Sequence, residues 1–251
     1  MVKRRRLFVI VAVITICLWV GFRSGSSAKG GSNLGLLPGV FIPASSGDDV
    51  GPLEIKTLLI DVDKLTEPSQ ANLNSVWLMV KHPSLEKVYW FPLYQLKDTN
   101  KEHAQVAESF QLGMDKKPRD SFLIELQKEY RIEWNTLLIL DQNDWVQTVA
   151  SLEGVRIDDN WIKGDQVLQY NLFEKSPEPL ADQAKLMRAI CDRRNDVISY
   201  PNNFASIVDR LTERLLPASE TTPSEFNSLV IQFKSLWMQP QALRCEFVGV
   251  K

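Results

Sequence analysis

The sequence predicts an α/β domain held behind one membrane-anchoring helix, and three observations carry that expectation. Short β-rich apolar runs alternate with stretches whose apolar residues recur at helical spacing. Hydrophobic residues make up 44% and charged residues 24% of 251 positions, the composition of a chain able to bury a core. The chain also opens on a basic tip followed by an apolar run. Its net charge of -2 leaves no electrostatic footprint for nucleic acid, so no such partner is expected.

The basic tip is Lys3-Arg4-Arg5-Arg6, and residues 7–22 are apolar apart from Thr15 and Gly21. That run sits just below the ~17 residues of a short spanning helix. Trp19 and Phe22 read as interfacial residues and Arg23 closes the span, which favours an uncleaved signal-anchor. A cleaved signal peptide is the alternative, because such peptides have ~7–15 apolar residues and Ser24-Gly25-Ser26-Ser27-Ala28 supplies small ones. The excess of positive charge before the span puts the N-terminus in the cytoplasm and the bulk of the chain outside the cell membrane. Residues 1–23 are therefore expected as cytoplasmic tip and transmembrane helix, and 24–52 as a flexible Gly/Ser/Pro tether. Residues 53–251 are left as the extracytoplasmic domain.

Residues 53–63 form a short buried-strand pattern ending in Asp61-Val62-Asp63. Carboxylates at the C-terminal end of a central strand commonly sit where α/β sheets bind ligands. Two aspartates in a strand-ending turn are the plainer reading. Residues 74–81 and 88–92 read as a second and third strand around a turn. Residues 105–110 and 121–130 read as helices, with Phe122, Leu123, Leu126 and Tyr130 as a core stripe. A strand at 132–140 leads into Asp141-Gln142-Asn143-Asp144, a capping sequence for a helix at 145–152. Gly154 fits the helix stop, and Val155 and Ile157 alternate as a strand would. Residues 164–170 read as a turn into another short ordered element. Helical patterns at 180–190, 204–216 and after Ser224, with a closing strand within 242–250, complete the chain.

In the 180–190 helix Asp182, Lys185 and Arg188 recur by three, which places them roughly on one face with alternating sign. By spacing alone this is a solvated, salt-bridged face. The order "helix, Gly-Val-x-Ile, Gly-x-x-x-Leu-x-Tyr, Asp-x-x-Lys-x-x-Arg" nevertheless resembles the core of the LytR-CpsA-Psr cell-envelope proteins. Leu58-Leu59-Ile60-Asp61-Val62-Asp63 is similar to the Leu-Leu-Leu-Gly-x-Asp that opens that family. The resemblance spans about residues 53–194. It implies a central mixed β-sheet flanked by helices in a three-layer sandwich. It further implies a pyrophosphate held by Lys185 and Arg188, and Mg2+ held by Asp63 and Asp182.

The sequence departs from the family where the chemistry lies. Leu93-Tyr94 follows Pro92, where the family has Arg-Asp, and neither can grip a pyrophosphate bidentately or serve as a base. Leu168-Gln169-Tyr170-Asn171-Leu172-Phe173 lacks both arginines of the family's Leu-x-Tyr-x-Arg-x-Arg. Two functions follow. The favoured one is a catalytically degenerate envelope domain that binds a polyprenyl-linked glycan or an envelope protein. The other is an active phosphotransferase moving a glycopolymer from polyprenyl pyrophosphate to the cell wall. An exposed basic cleft at Lys185 and Arg188 favours the enzyme; a cleft closed by Leu93, Leu172 and Phe173 favours the degenerate domain. No Gly-x-Ser-x-Gly elbow occurs, and the two histidines, His82 and His103, read as turn and surface residues. Of three cysteines, Cys17 lies in the apolar run. Cys191 and Cys245 are either a disulfide of an exported domain or two separate buried thiols.

Overall fold

The apolar run after Glu54 becomes β1 (Ile55–Val62), and every residue of it except Lys56 is buried. Such a run has no polar face because the strand is central and covered on both sides. It pairs antiparallel with β2 (Leu73–Lys81) and parallel with β4 (Thr136–Asp141). β2 continues antiparallel into β3 (Lys87–Gln95), which pairs parallel with β8 (Arg244–Phe247). β7 (Leu215–Pro217) closes the other edge antiparallel to β4, giving a six-stranded mixed sheet of order β7-β4-β1-β2-β3-β8. A separate hairpin, β5 (Val155–Ile157) and β6 (Asn160–Ile162), turns through Asp158 and Asp159, both in the left-handed region that two-residue hairpin turns require.

The structure, a computed structural model, describes residues 54–83, 85–95, 101–171, 178–197 and 201–250. The expected anchor at 1–23 and tether at 24–52 lie outside them. Among the described residues no helix is long and apolar enough to cross a membrane.

Helices cover both faces of the sheet. On one face lie α1 (Lys101–Ser109) and α2 (Asp120–Tyr130), whose Val106, Phe122 and Leu126 share a core with Leu58, Ile60, Leu78, Phe91 and Ile139 of the strands. On the other lie α3 (Gln142–Ser151), the short α4 (Leu168–Asn171), α5 (Pro179–Val197), α6 (Pro201–Glu213) and α7 (Pro223–Met238). They pack on Leu59, Trp77, Met79, Trp90, Leu138 and Leu140. The alternation of strand residues between two cores is the period-2 geometry of the pleat.

Most elements fall where the sequence predicts them. Gly154 ends the α3 turn with φ +108, and a Cβ there would stand 2.5 Å from Trp161 Nε1. One expectation is corrected: the helix predicted over 204–216 stops at Glu213, and Leu215-Leu216 pairs with β4 instead. Those leucines extend the helical apolar stripe, so periodicity cannot separate a last helical turn from a short edge strand.

Candidate functional site

The C-terminal ends of β1 and β4 meet the first turns of α3 and α5, the place in an open α/β sheet where ligands usually bind. In this chain a buried hydrogen-bond network fills the end of β1. Asp61 is fully buried; its Oδ1 accepts from Trp145 Nε1 at 2.7 Å and its Oδ2 from Gln183 Nε2 at 3.3 Å. The Gln183 Oε1 in turn accepts from Ser75 Oγ at 2.8 Å and Trp77 Nε1 at 2.6 Å. Two helices and two strands are thereby pinned together through polar groups that each have partners, as burial demands.

β4 ends in a second carboxylate, Asp141, which caps α3. Its side chain accepts from Asp144 N at 3.0 Å and from Leu65 N at 3.1 Å, while Asp144 accepts from Asp141 N in return. Burial pushes the Asp144 carboxyl above its ordinary range, even with Arg214 Nη2 at 3.3 Å from its Oδ1. Both aspartates serve the helix terminus.

The residues singled out by sequence have different surroundings. Asp63 closes the turn between β1 and β2: its Oδ1 accepts from Asn72 N and its Oδ2 from Asn72 Nδ2, each at 2.8 Å. Asp182 lies in the first turn of α5, 3.8 Å from Lys185 Nζ. Lys185 is exposed, and its Nζ also donates to Asp158 Oδ2 at 3.1 Å, at the tip of the β5–β6 hairpin. That hydrogen bond, helped by the charge of Asp158 and then of Asp182, raises the lysine above its ordinary value. Arg188, one turn further on, places its guanidinium 5.2 Å over the Phe247 ring. Phe247 itself stacks on Trp90 and meets Trp77 edge-on. Lys185 and Arg188 thus share the outer side of α5, one among carboxylates and the other on an aromatic stack.

Mg2+ takes about six oxygen ligands in near-octahedral order. Among the described residues no group of three or more His, Cys, Asp or Glu side chains could hold a metal ion. Both Asp63 oxygens accept from Asn72, and Asp182 lies beside Lys185, so each of the two carboxylates expected to hold the ion has a protein partner of its own.

Leu93 does not close a cleft beside α5. Trp77 pairs with Pro92 and Val76 with Tyr94, so Leu93 is the extra residue of a β-bulge. Leu93 and Tyr94 both lie in the core under α1 and α2, on the sheet face away from α5. The bulge turns the positions that follow Pro92 into packing positions. Leu172 and Phe173 lie outside the described residues. Between the sheet and α3, α5, α6 and α7 there remains an apolar cavity of about 50 Å³, lined by Leu59, Met79, Trp90, Trp145, Met187 and Phe233 among others.

Cys191, on the inner side of α5, is bonded to Cys245 of β8, with 6.4 Å between their Cα atoms. Three residues further, Arg194 is fully buried. Sequence reasoning missed Gln183, Trp145 and Arg194. The signal was there for two of them: Gln183 and Arg194 sit on the same helical stripe as Ala184, Leu186, Met187, Ile190 and Cys191, where a polar residue must find a buried partner.

No protein-family model matches the sequence, and no curated protein matches it. Among solved structures, the chain is similar to protein gbs0355 from Streptococcus agalactiae, at 13% identity with a TM-score of 0.51, over 78% of this chain and 77% of that one. It also aligns with a LytR-Csp2A-Psr enzyme from Actinomyces oris, at 12% identity and a TM-score of 0.47, over 78% of this chain and 80% of that one. TagV of B. subtilis aligns at 12% identity and a TM-score of 0.47, over 80% and 86%. At such identities the likeness to gbs0355 is a likeness of fold alone.

Proposed function

We propose that this chain is a membrane-anchored, extracytoplasmic domain of the cell envelope, of LytR-CpsA-Psr type, without phosphotransferase activity and holding a lipid-linked or protein partner. The observation that carries this reading is the internal pairing of Lys185. Phosphoryl transfer relies on cations aimed at the charge that develops on the transferred group. Here the lysine at that position already has Asp158 at 3.1 Å and Asp182 at 3.8 Å, so an approaching anion meets two carboxylates beside it. Lysine also lacks the bidentate fork of the family's arginine. The bulge at Leu93 puts side chains into the core where the resemblance expects an Arg-Asp pair. Each lost charge contact of that kind costs ~2.7–4 kcal/mol in a transition state.

Where a lipid-linked partner would enter is bounded by volume. A cavity of about 50 Å³ lies far below the ~300–1,000 Å³ of sites that enclose a ligand. A prenyl chain therefore needs the helical layer to move apart, whereas a protein partner needs only the outer surface.

The alternative is the active phosphotransferase, favoured by the exposure of Lys185 and Arg188 one turn apart on α5. One experiment separates the two: binding and turnover of a polyprenyl pyrophosphate by the full chain in detergent, with and without Mg2+, beside Lys185→Ala/Arg188→Ala. The degenerate domain gives no turnover, and any binding is indifferent to Mg2+ and to the double substitution. Turnover establishes the enzyme, and binding lost in the variant shows that a pyrophosphate site survives on α5.

A further inference from the structure

On the side of the sheet covered by α2, a concavity of about 380 Å³ opens between that helix and the loop that follows β7. Leu123 of α2 and Trp134 of the connection into β4 are the large apolar side chains of its lining, together with Ile124, which is 61% exposed. Three carboxylates line the same space: Asp120 from the start of α2, Glu133 beside Trp134, and Glu220 from the loop after β7. No lysine, arginine or histidine lines it. None of the three carboxylates enters a salt bridge with another described residue, whereas Lys128, the lysine of the neighbouring helical turn, is committed to Glu125 at 3.2 Å.

We propose that this groove receives a basic segment of a partner protein, with an apolar side chain lying between Ile124 and Trp134 and a lysine or arginine on either side meeting Asp120, Glu133 and Glu220. Charge complementarity selects the sign of the occupant: an anion would meet three carboxylates, and a neutral apolar group would leave them facing its flanks. A space of about 380 Å³ takes one or two side chains of such a segment. The groove is built from α2 and the β7 edge, so the proposal stands independently of what happens at α5.

The test uses the full chain in an uncharged detergent and a fluorophore-labelled nine-residue peptide, Gly-Ser-Lys-Arg-Leu-Lys-Arg-Ser-Gly, followed by anisotropy, with micelles alone as the blank. Saturable binding with Kd below about 100 μM is expected at low salt. Glu133→Gln/Glu220→Gln should weaken it about tenfold, and raising the salt should do the same. Ile124→Ser should weaken it severalfold and remove the advantage of leucine over serine at the centre of the peptide. All three changed side chains are exposed, so far-UV circular dichroism and melting should stay as in the parent. Absence of saturation by about 1 mM, or equal affinity in parent and variants, overturns the proposal. A peptide-sensitive dimer by sedimentation overturns it as well, because the occupant is then a second copy of the chain.

Discussion

The two sides of α5 carry the same kinds of residue and do opposite things. On the inner side Gln183 and Arg194 are fully buried and tie α5 to other elements: Gln183 to β1 and β2, and Arg194 to the end of α7. On the outer side Asp182 pairs with Lys185, Lys185 also reaches a hairpin tip, and Arg188 lies over one aromatic ring. The inner groups were moved out of water and hold their positions through hydrogen bonds in a low dielectric. The outer groups remain in water, where ion pairs are screened and each contributes little. The lesson is that a charged residue in a helix declares its role through the stripe it occupies, and spacing to other charges says little about it.

Arg194 tests the inner side most severely. Its Nε donates to Trp237 O at 2.9 Å, its Nη1 to Gln241 O at 2.7 Å, and its Nη2 to Leu236 O at 3.4 Å and to Gln239 O. A guanidinium is here the cap of a helix: it gathers the carbonyls that α7 leaves open at its C-terminus and meets the negative end of that helix dipole. Burial without a carboxylate partner draws its pKa down, yet the carbonyls supply the compensating charge density. Arg194→Met should cost about 3–5 kcal/mol, because it leaves several buried carbonyls without donors. For a domain of this size that is a fall of roughly 10 °C in Tm, read by differential scanning calorimetry. Arg194→Lys should recover only part of it, since one ammonium cannot span the positions a planar fork reaches. A loss under about 1 kcal/mol in Arg194→Met breaks the comparison.

The disulfide comes next. Cys191 and Cys245 are 54 residues apart in sequence, and their bond ties the inner side of α5 to the edge strand β8. In the loop-entropy description a closure of that length contributes up to about 4 kcal/mol, and measured values are typically about 2–4. Cys191→Ser/Cys245→Ser should therefore lower the urea midpoint measurably while leaving the far-UV spectrum intact. Reduction of the parent with dithiothreitol should reproduce the same midpoint. A reductant effect in the double variant would place the stabilisation elsewhere.

How much of this was legible in the sequence follows the same division. β1, β2 and β4 were legible because central strands have no polar face to blur them, and α3 was legible because Asp141 and Asp144 spell a capping sequence. β7 was not, since three residues that continue a helical stripe carry no period of their own. At the candidate site, the alternation of Asp182, Lys185 and Arg188 was visible, and so were both readings of it. The β1 end was harder. Asp61 and Asp63 look alike in sequence, yet the first is buried among Trp145 and Gln183 and the second closes a turn on Asn72. Strand alternation distinguishes them from Val62, which points to the other face, but it cannot tell a pinned carboxylate from one left at the sheet end. The bulge at Leu93 was invisible for a similar reason: one extra residue in a strand changes the face of its side chain without changing the composition.

The outer side should give the smallest effect of all. Lys185→Met removes two ion pairs at once, with Asp158 and with Asp182, and the side chains involved are 43%, 63% and 26% exposed. Exposed pairs of this kind contribute roughly 0–1 kcal/mol, so the unfolding midpoint in urea should barely move, and less again in high salt. The pKa shift has a definite sign. A lysine raised in the folded state stabilises below its ordinary value of 10.5, and that stabilisation is lost only as pH rises through the raised value. The difference in stability between parent and variant should therefore stay constant from neutral pH to pH 9 (pH 9 being roughly one unit below the ordinary lysine range). A loss comparable to that of Arg194→Met would mean that the hairpin latch at Asp158 is part of the core structure. A silent substitution leaves Lys185 as a residue that can be spent on recognition, since the fold does not depend on it, and any effect it then has on polyprenyl pyrophosphate binding can be read as contact with the ligand.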